Sequence, residues 1–97
     1  MNTLLRTAEF DDWLQNLRNT KARARVVARI VSALHGNFGD CKALGGGVSE
    51  MRFDLGPGYR VYFARWGATK YVLLTGGDKS TQSADIRRAR EILCEWH

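Results

Sequence analysis

Cysteine and histidine are scarce in this 97-residue chain, with two of each. Cys41 and Cys94 lie far apart and neither belongs to a Cys-x-x-Cys pair. That excludes a disulfide-built scaffold and leaves two reduced thiols in a cytoplasmic protein as the expectation. His35 and His97 are equally scattered, so no zinc-ligand spacing exists, and Asp and Glu form no cluster suited to a carboxylate-bound metal. No metal and no cofactor is expected. Long apolar runs are missing too. The start, Met1-Asn2-Thr3-Leu4-Leu5-Arg6-Thr7, lacks the apolar stretch of a signal peptide, and nothing later approaches membrane-spanning length, so no membrane role is expected. Gly45-Gly46-Gly47 lacks the Lys-Ser/Thr partner of a phosphate-binding loop and reads as a flexible joint. No serine-hydrolase nucleophile motif is present.

Positive charge is what the chain has in excess. Fifteen Lys and Arg against ten Asp and Glu give a net +5 and a pI near 9.7. Such a balance suits nucleic acid or another acidic partner, and equally suits plain solubility. The length and the 44% apolar content fit one small domain over residues 1–97.

Periodicity then orders the elements. Residues 2–7 can form a short edge strand. Thr7 can cap a helix over about 8–18 whose stripe is Phe10, Trp13, Leu14 and Leu17, at i, i+3, i+4 and i+7. Thr20 can cap a second helix over about 21–35, with Ala22, Val26, Ile30, Ala33 and Leu34 inward. Lys21, Arg25 and Arg29 follow at spacing four, a solvated basic face or a runway for phosphates. Residues 36–40 read as a loop, and Cys41–Leu44 as a short strand or irregular segment.

Along 49–55, Met51, Phe53 and Leu55 alternate with Glu50, Arg52 and Asp54. Along 59–66, Val61 and Phe63 alternate with Arg60 and Tyr62, after a Gly56-Pro57-Gly58 turn. One face of the hairpin is therefore expected to be apolar and to meet the helices, while the other carries Glu50, Arg52, Arg60 and Tyr62. Tyr71–Thr75 is apolar enough to be a central strand, and Gly76–Gln82 reads as a polar turn. Ser80, Thr81 or Ser83 can cap a last helix to about 96, with Ile86, Ala89, Leu93 and Trp96 inward. The expected fold class is α+β: an N-terminal helical hairpin packed on a small, mainly antiparallel sheet with a C-terminal helix. Arg52, Arg60 and Lys79 would meet on one concave sheet surface. Three fixed cations there point to a polyanion, with RNA the best candidate.

Five pieces carry a family resemblance. They are Phe10-x-x-Trp13-Leu14, Gly36-Asn37-Phe38-Gly39-Asp40-x-Lys42, Val48-Ser49-Glu50-Met51-Arg52, Gly56-Pro57-Gly58-Tyr59-Arg60-Val61-Tyr62-Phe63, and Leu73-Leu74-x-Gly76-Gly77-Asp78-Lys79-Ser80-Thr81-Gln82. Together they resemble the RelE/ParE toxin superfamily, and within it the HigB-type addiction module killer proteins, also described as phage Gp49-like. The resemblance implies the toxin of a type II toxin–antitoxin system. Its partners would be a cognate antitoxin, typically a helix-turn-helix protein encoded nearby, and the ribosome with its mRNA. The implied activity is metal-independent endoribonuclease cleavage of mRNA. ParE relatives share the fold and bind DNA gyrase instead, so a gyrase inhibitor is the alternative. An inactive binding or regulatory module of this fold is a third reading.

On this resemblance Arg60 aligns with the family arginine that contacts the scissile phosphate; its alternative role is a cross-strand ion pair with Glu50. Arg52 and Lys79 match basic family positions, although Lys79 also reads as a solvated turn lysine. Lys42 is a candidate for RNA backbone, Tyr59 and Tyr62 for stacking on a base, and Gln82 for a base edge or a helix cap. Glu50 would orient an arginine or act as a base. The family's helical Tyr is absent from Ser83–Arg90, and neither histidine lies in a matching motif. The general base and acid therefore stay unassigned.

Overall fold

The computed structural model describes residues 1–96; His97 lies outside the described residues. Chain order is β1 (Thr3–Arg6), α1 (Ala8–Gln15), α2 (Thr20–Leu34), β2 (Cys41–Gly45), β3 (Val48–Phe53), β4 (Tyr59–Arg65), β5 (Lys70–Asp78), a 3-10 turn (Lys79–Thr81) and α3 (Gln82–Glu95). The five strands form one sheet in the order β1-β5-β4-β3-β2. The pairings β2–β3, β3–β4 and β4–β5 are antiparallel, and β1–β5 is parallel.

The expected N-terminal helical hairpin on a mainly antiparallel sheet is therefore corrected. The chain opens with a strand, and that strand makes the sheet mixed. The first helix after it is only eight residues long. Its single stripe is used up on the sheet: α1 packs on β5, while α2 packs on β1 and β3, and neither helix has the other as its main neighbour. A helix with one apolar stripe buries it once. Periodicity located both helices but could not say which surface each would choose.

Local chemistry explains the boundaries. Thr7 Oγ1 accepts from the Phe10 amide at 3.0 Å, so it caps α1 as expected, and donates to the Leu74 carbonyl at 2.7 Å, which ties the cap to β5. At α2 the cap is Asn19, one residue before the expected Thr20; its Oδ1 accepts from the Ala22 amide at 3.1 Å. Strand β5 also runs further than expected. Gly76, Gly77 and Asp78 pair with Val61, Arg60 and Tyr59, so the turn begins only at Lys79. The missing side chains at 76 and 77 hid this strand from an apolar pattern.

Both faces of the sheet are covered. On one, Phe10, Leu14, Val26 and Ala33 of α1 and α2 pack on Met51, Phe53, Val61, Phe63 and Leu73. On the other, Ala89 and Ile92 of α3 pack on Val48, Tyr62, Ala64, Val72 and Leu74. Ile92 was outside the expected α3 stripe. The hairpin face carrying Glu50 and Tyr62, read from the sequence as opposite the helices, lies under α3, and both residues are buried.

Space as well as apolarity sets the α1–β5 contact. A Cβ at Gly76 would come within 2.4 Å of the Trp13 ring. The indole rests on bare backbone. Gly76→Ala is expected to lower stability by about 1–3 kcal/mol through this overpacking, read as a reduced urea midpoint with an altered Trp fluorescence baseline.

Candidate functional site

The β3–β4 register places Arg52 directly opposite Arg60. Like charges facing each other across strands repel, and each guanidinium here has its own carboxylate. Arg52 donates from Nε and Nη2 to Asp40 Oδ1 at 3.2 and 2.8 Å, and both groups stay substantially exposed. The Asp40 hydrogen bonds and charge raise the Arg52 pKa above its ordinary value. Arg60 points inward. Its Nε stands 3.9 Å from Glu50 Oε2, with side-chain exposures of 13% and 4% for the two partners. Glu50 Oε2 also accepts from Gln82 Nε2 at 2.9 Å. The Arg60–Glu50 alternative and a place in the cationic cluster thus coexist in one geometry.

The Gly56-Pro57-Gly58 turn completes the setting. Arg60 Nη1 donates to the Gly58 and Tyr59 carbonyls at 3.1 and 3.2 Å. Gly58 adopts φ +81°, and a Cβ there would stand 3.4 Å from Arg60 Nη1 and 3.5 Å from Lys79 Cβ. The left-handed backbone is what favours glycine there, since the two cationic side chains pass at ordinary contact distance. Lys79 is exposed and makes none of the ion pairs among the described residues. Asp78 fixes its turn by accepting from the Ser80 amide and hydroxyl, and those bonds hold the Asp78 carboxyl below its ordinary pKa.

Arg52, Arg60 and Lys79 line one cavity of about 390 Å³, with Asp40, Asp54 and the glycine turn forming the remaining polar wall. Three cations and two carboxylates surround a space of this size, open to anions whose oxygens can replace Asp40 on Arg52. The other sequence candidates lie elsewhere. Lys42 is exposed on edge strand β2, paired in register with Glu50. Tyr59 is half-buried and packs with the α1–α2 core, its ring beside Gly56. Tyr62 is fully buried beneath α3; its hydroxyl has no hydrogen-bond partner among the described residues, and burial first, then Glu50, pushes its pKa up. Gln82 and Glu50 bond to each other beside Arg60 and do not line the cavity. His35 caps α2 at its C-terminus, away from the cavity. Among the described residues no three His, Cys, Asp or Glu converge as metal ligands.

Sequence reasoning missed Asp40 and Arg29. Pairing the Cys41–Leu44 segment with β3 across the Gly45-Gly46-Gly47 turn would have set Asp40 against Arg52, and the Arg52 amide does donate to the Asp40 carbonyl at 2.8 Å. Arg29 is not simply part of a solvated basic face. Its guanidinium donates to the carbonyls of Phe38, Asp40 and Arg52 at 3.2–3.3 Å and sits 4.5 Å above the Phe53 ring. It pins the loop that carries Asp40 onto β3.

With the fold and the cavity in view, the chain is a small mixed-sheet protein built around a cationic pocket. Residues 12–93 match the family described as Phage derived protein Gp49-like (DUF891), and the chain belongs to that family. The family is associated with toxin–antitoxin addiction modules. An uncharacterised protein of Haemophilus influenzae (strain ATCC 51907 / DSM 11121 / KW20 / Rd) is 48% identical over 84 residues, covering 87% of this chain and 85% of that protein.

Two measurements probe this arrangement. Glu50→Ala leaves a buried guanidinium without its anion and is expected to cost about 3 kcal/mol in urea denaturation, whereas Asp40→Ala, which breaks an exposed pair, leaves the midpoint nearly unchanged. Because the Asp78 carboxyl is depressed in the folded state, the unfolded chain takes up the proton first on acidification. Its stabilisation of the Lys79 turn is complete above the ordinary carboxylate range, near pH 4, and fades as pH falls through the folded value. Amide exchange at Ser80 should rise over that window, and Asp78→Asn should abolish the dependence.

Proposed function

We propose that this protein is the toxin of a type II toxin–antitoxin system and acts as a ribosome-dependent endoribonuclease on mRNA. The observation that carries the reading is the convergence of Arg52, Arg60 and Lys79 on one cavity; family membership supports it. In this reading the 2′-hydroxyl of the RNA attacks the adjacent phosphorus and loses its proton. The P–O5′ bond breaks, and the 5′-oxygen takes a proton as it leaves. The products are a 2′,3′-cyclic phosphate and a 5′-hydroxyl. Cations aimed at the phosphoryl oxygens stabilise the added negative charge of the phosphorane.

The three cations divide this work by their freedom to move. Arg60 is fixed by Glu50 and by the Gly58 and Tyr59 carbonyls, so its fork is preorganised. Arg52 exchanges Asp40 for a phosphate oxygen at small cost, because an exposed pair contributes little. Lys79 adds a mobile charge. Asp40 and Asp54 are the carboxylates at the cavity wall and the available proton acceptors there. Alignment of the 2′-hydroxyl with the P–O5′ bond falls to the ribosome that presents the RNA.

A gyrase-directed toxin is the second reading. It draws on the cavity lining, where the described residues include no Tyr or His to serve as acid or base. Transcript mapping after induced expression separates the two: cuts at codon boundaries accompany translation arrest in the first, whereas intact transcripts with DNA-damage signalling mark the second. Arg60→Lys keeps the charge beside Glu50 and the fold, but loses the planar guanidinium that the Gly58 and Tyr59 carbonyls orient. It is expected to reduce mRNA cleavage by roughly 100-fold; full activity in a folded Arg60→Lys protein would remove Arg60 from the reaction.

A further inference from the structure

Helix α2 carries two apolar stripes. Ala22, Val26 and Ala33 are buried against the sheet. On the opposite side Ala24, Val27, Ala28 and Val31 recur at i, i+3, i+4 and i+7, and all four are exposed, Val27 at 45% and Val31 at 51%. A helix apolar on both sides is built to lie between two layers, and the described residues supply only the sheet layer. Ala24 and Ala28 are small enough for close approach of a second backbone. With Lys21, Arg25 and Leu55 they line a shallow groove of about 340 Å³ that shares no residue with the cationic cavity.

The charge on this helix says what fits. Its 15 residues include Lys21, Arg23, Arg25 and Arg29 and no acidic side chain. Lys21 and Arg25 flank the outer stripe and make none of the ion pairs among the described residues. A second copy of the chain would set two such basic helices against each other. A nucleic-acid backbone would leave the four apolar side chains against charged phosphates.

We propose that the outer face of α2 is a docking surface for an acidic amphipathic helix of a partner protein. The apolar side of that helix covers Ala24, Val27, Ala28 and Val31, and its carboxylates lie beside Lys21 and Arg25. This rests on the toxin–antitoxin reading above, in which the partner is the antitoxin. It adds that the partner is anchored on a surface separate from the cavity, so binding and site occlusion are carried by different residues.

The test uses the full chain and, as probe, the small protein encoded by the adjacent reading frame, with affinity measured by calorimetry. Val27→Glu/Val31→Glu and Lys21→Glu/Arg25→Glu change exposed helical positions where Glu is a good helix former; circular dichroism melts check the fold. Each double variant is expected to weaken the complex roughly tenfold or more, through a desolvated like charge at the contact. Undiminished binding by Val27→Glu/Val31→Glu, or no complex with the wild-type chain, overturns the proposal. So does a wild-type dimer in light scattering that Val27→Glu/Val31→Glu dissolves, which would assign the face to a second copy. Loss of oligoribonucleotide binding in that variant would assign it to RNA and overturn it equally. The cleavage reading is judged separately, by transcript mapping with the wild-type chain, so the two failures are distinguishable.

Discussion

Two arginines face each other across neighbouring strands, and much of the surrounding structure serves to hold that pair. Arg52 and Arg60 are opposite in the β3–β4 register, an arrangement that repels unless anions intervene. Asp40 does so from the solvent side and Glu50 from within the protein. Each carboxylate is held by a helix on a different face of the sheet. Arg29 of α2 pins the loop carrying Asp40, and Gln82 of α3 bonds Glu50. Both helical layers therefore end at one cluster of charge.

This division gives the cluster an asymmetry that bears on its chemistry. In the Arg60–Glu50–Gln82 group Glu50 is buried and its two partners are half-buried, so rearrangement would leave a buried charge unpaired, which is costly. The Arg52–Asp40 pair lies in water, where exchange with another anion costs little. One fork is fixed and one is exchangeable, with Lys79 presented to the same cavity from the end of β5 by a turn that Asp78 ties off. A polyanion that meets this cavity finds one preset contact and two that adjust.

Where sequence reasoning worked, the signal was local and periodic. Thr7 as a cap, the inward stripe of Phe10 and Leu14, and the alternation of Met51 and Phe53 with Glu50 and Arg52 all follow from the helical and strand repeats. Where it failed, the deciding partner was distant or had no side chain. β1 needs β5, nearly seventy residues away, to become part of a mixed sheet. Gly76 and Gly77 extend β5 without adding to any apolar pattern, yet Trp13 needs the bare backbone at 76. The sheet face read as free of helices holds Tyr62 and Glu50 under α3, because Ala89 and Ile92 cover it.

The sequence by itself determined which residues alternate, where helices begin, and that cations recur at positions 52, 60 and 79, since these depend on backbone repeats and short-range hydrogen bonds. Only the tertiary structure decided that Arg60 is held by a buried carboxylate while Arg52 is held by an exposed one, and that α2 keeps a second apolar face in solvent. Burial and charge pairing are properties of surfaces brought together by distant segments, and the one-dimensional spacing of residues does not encode which surfaces meet.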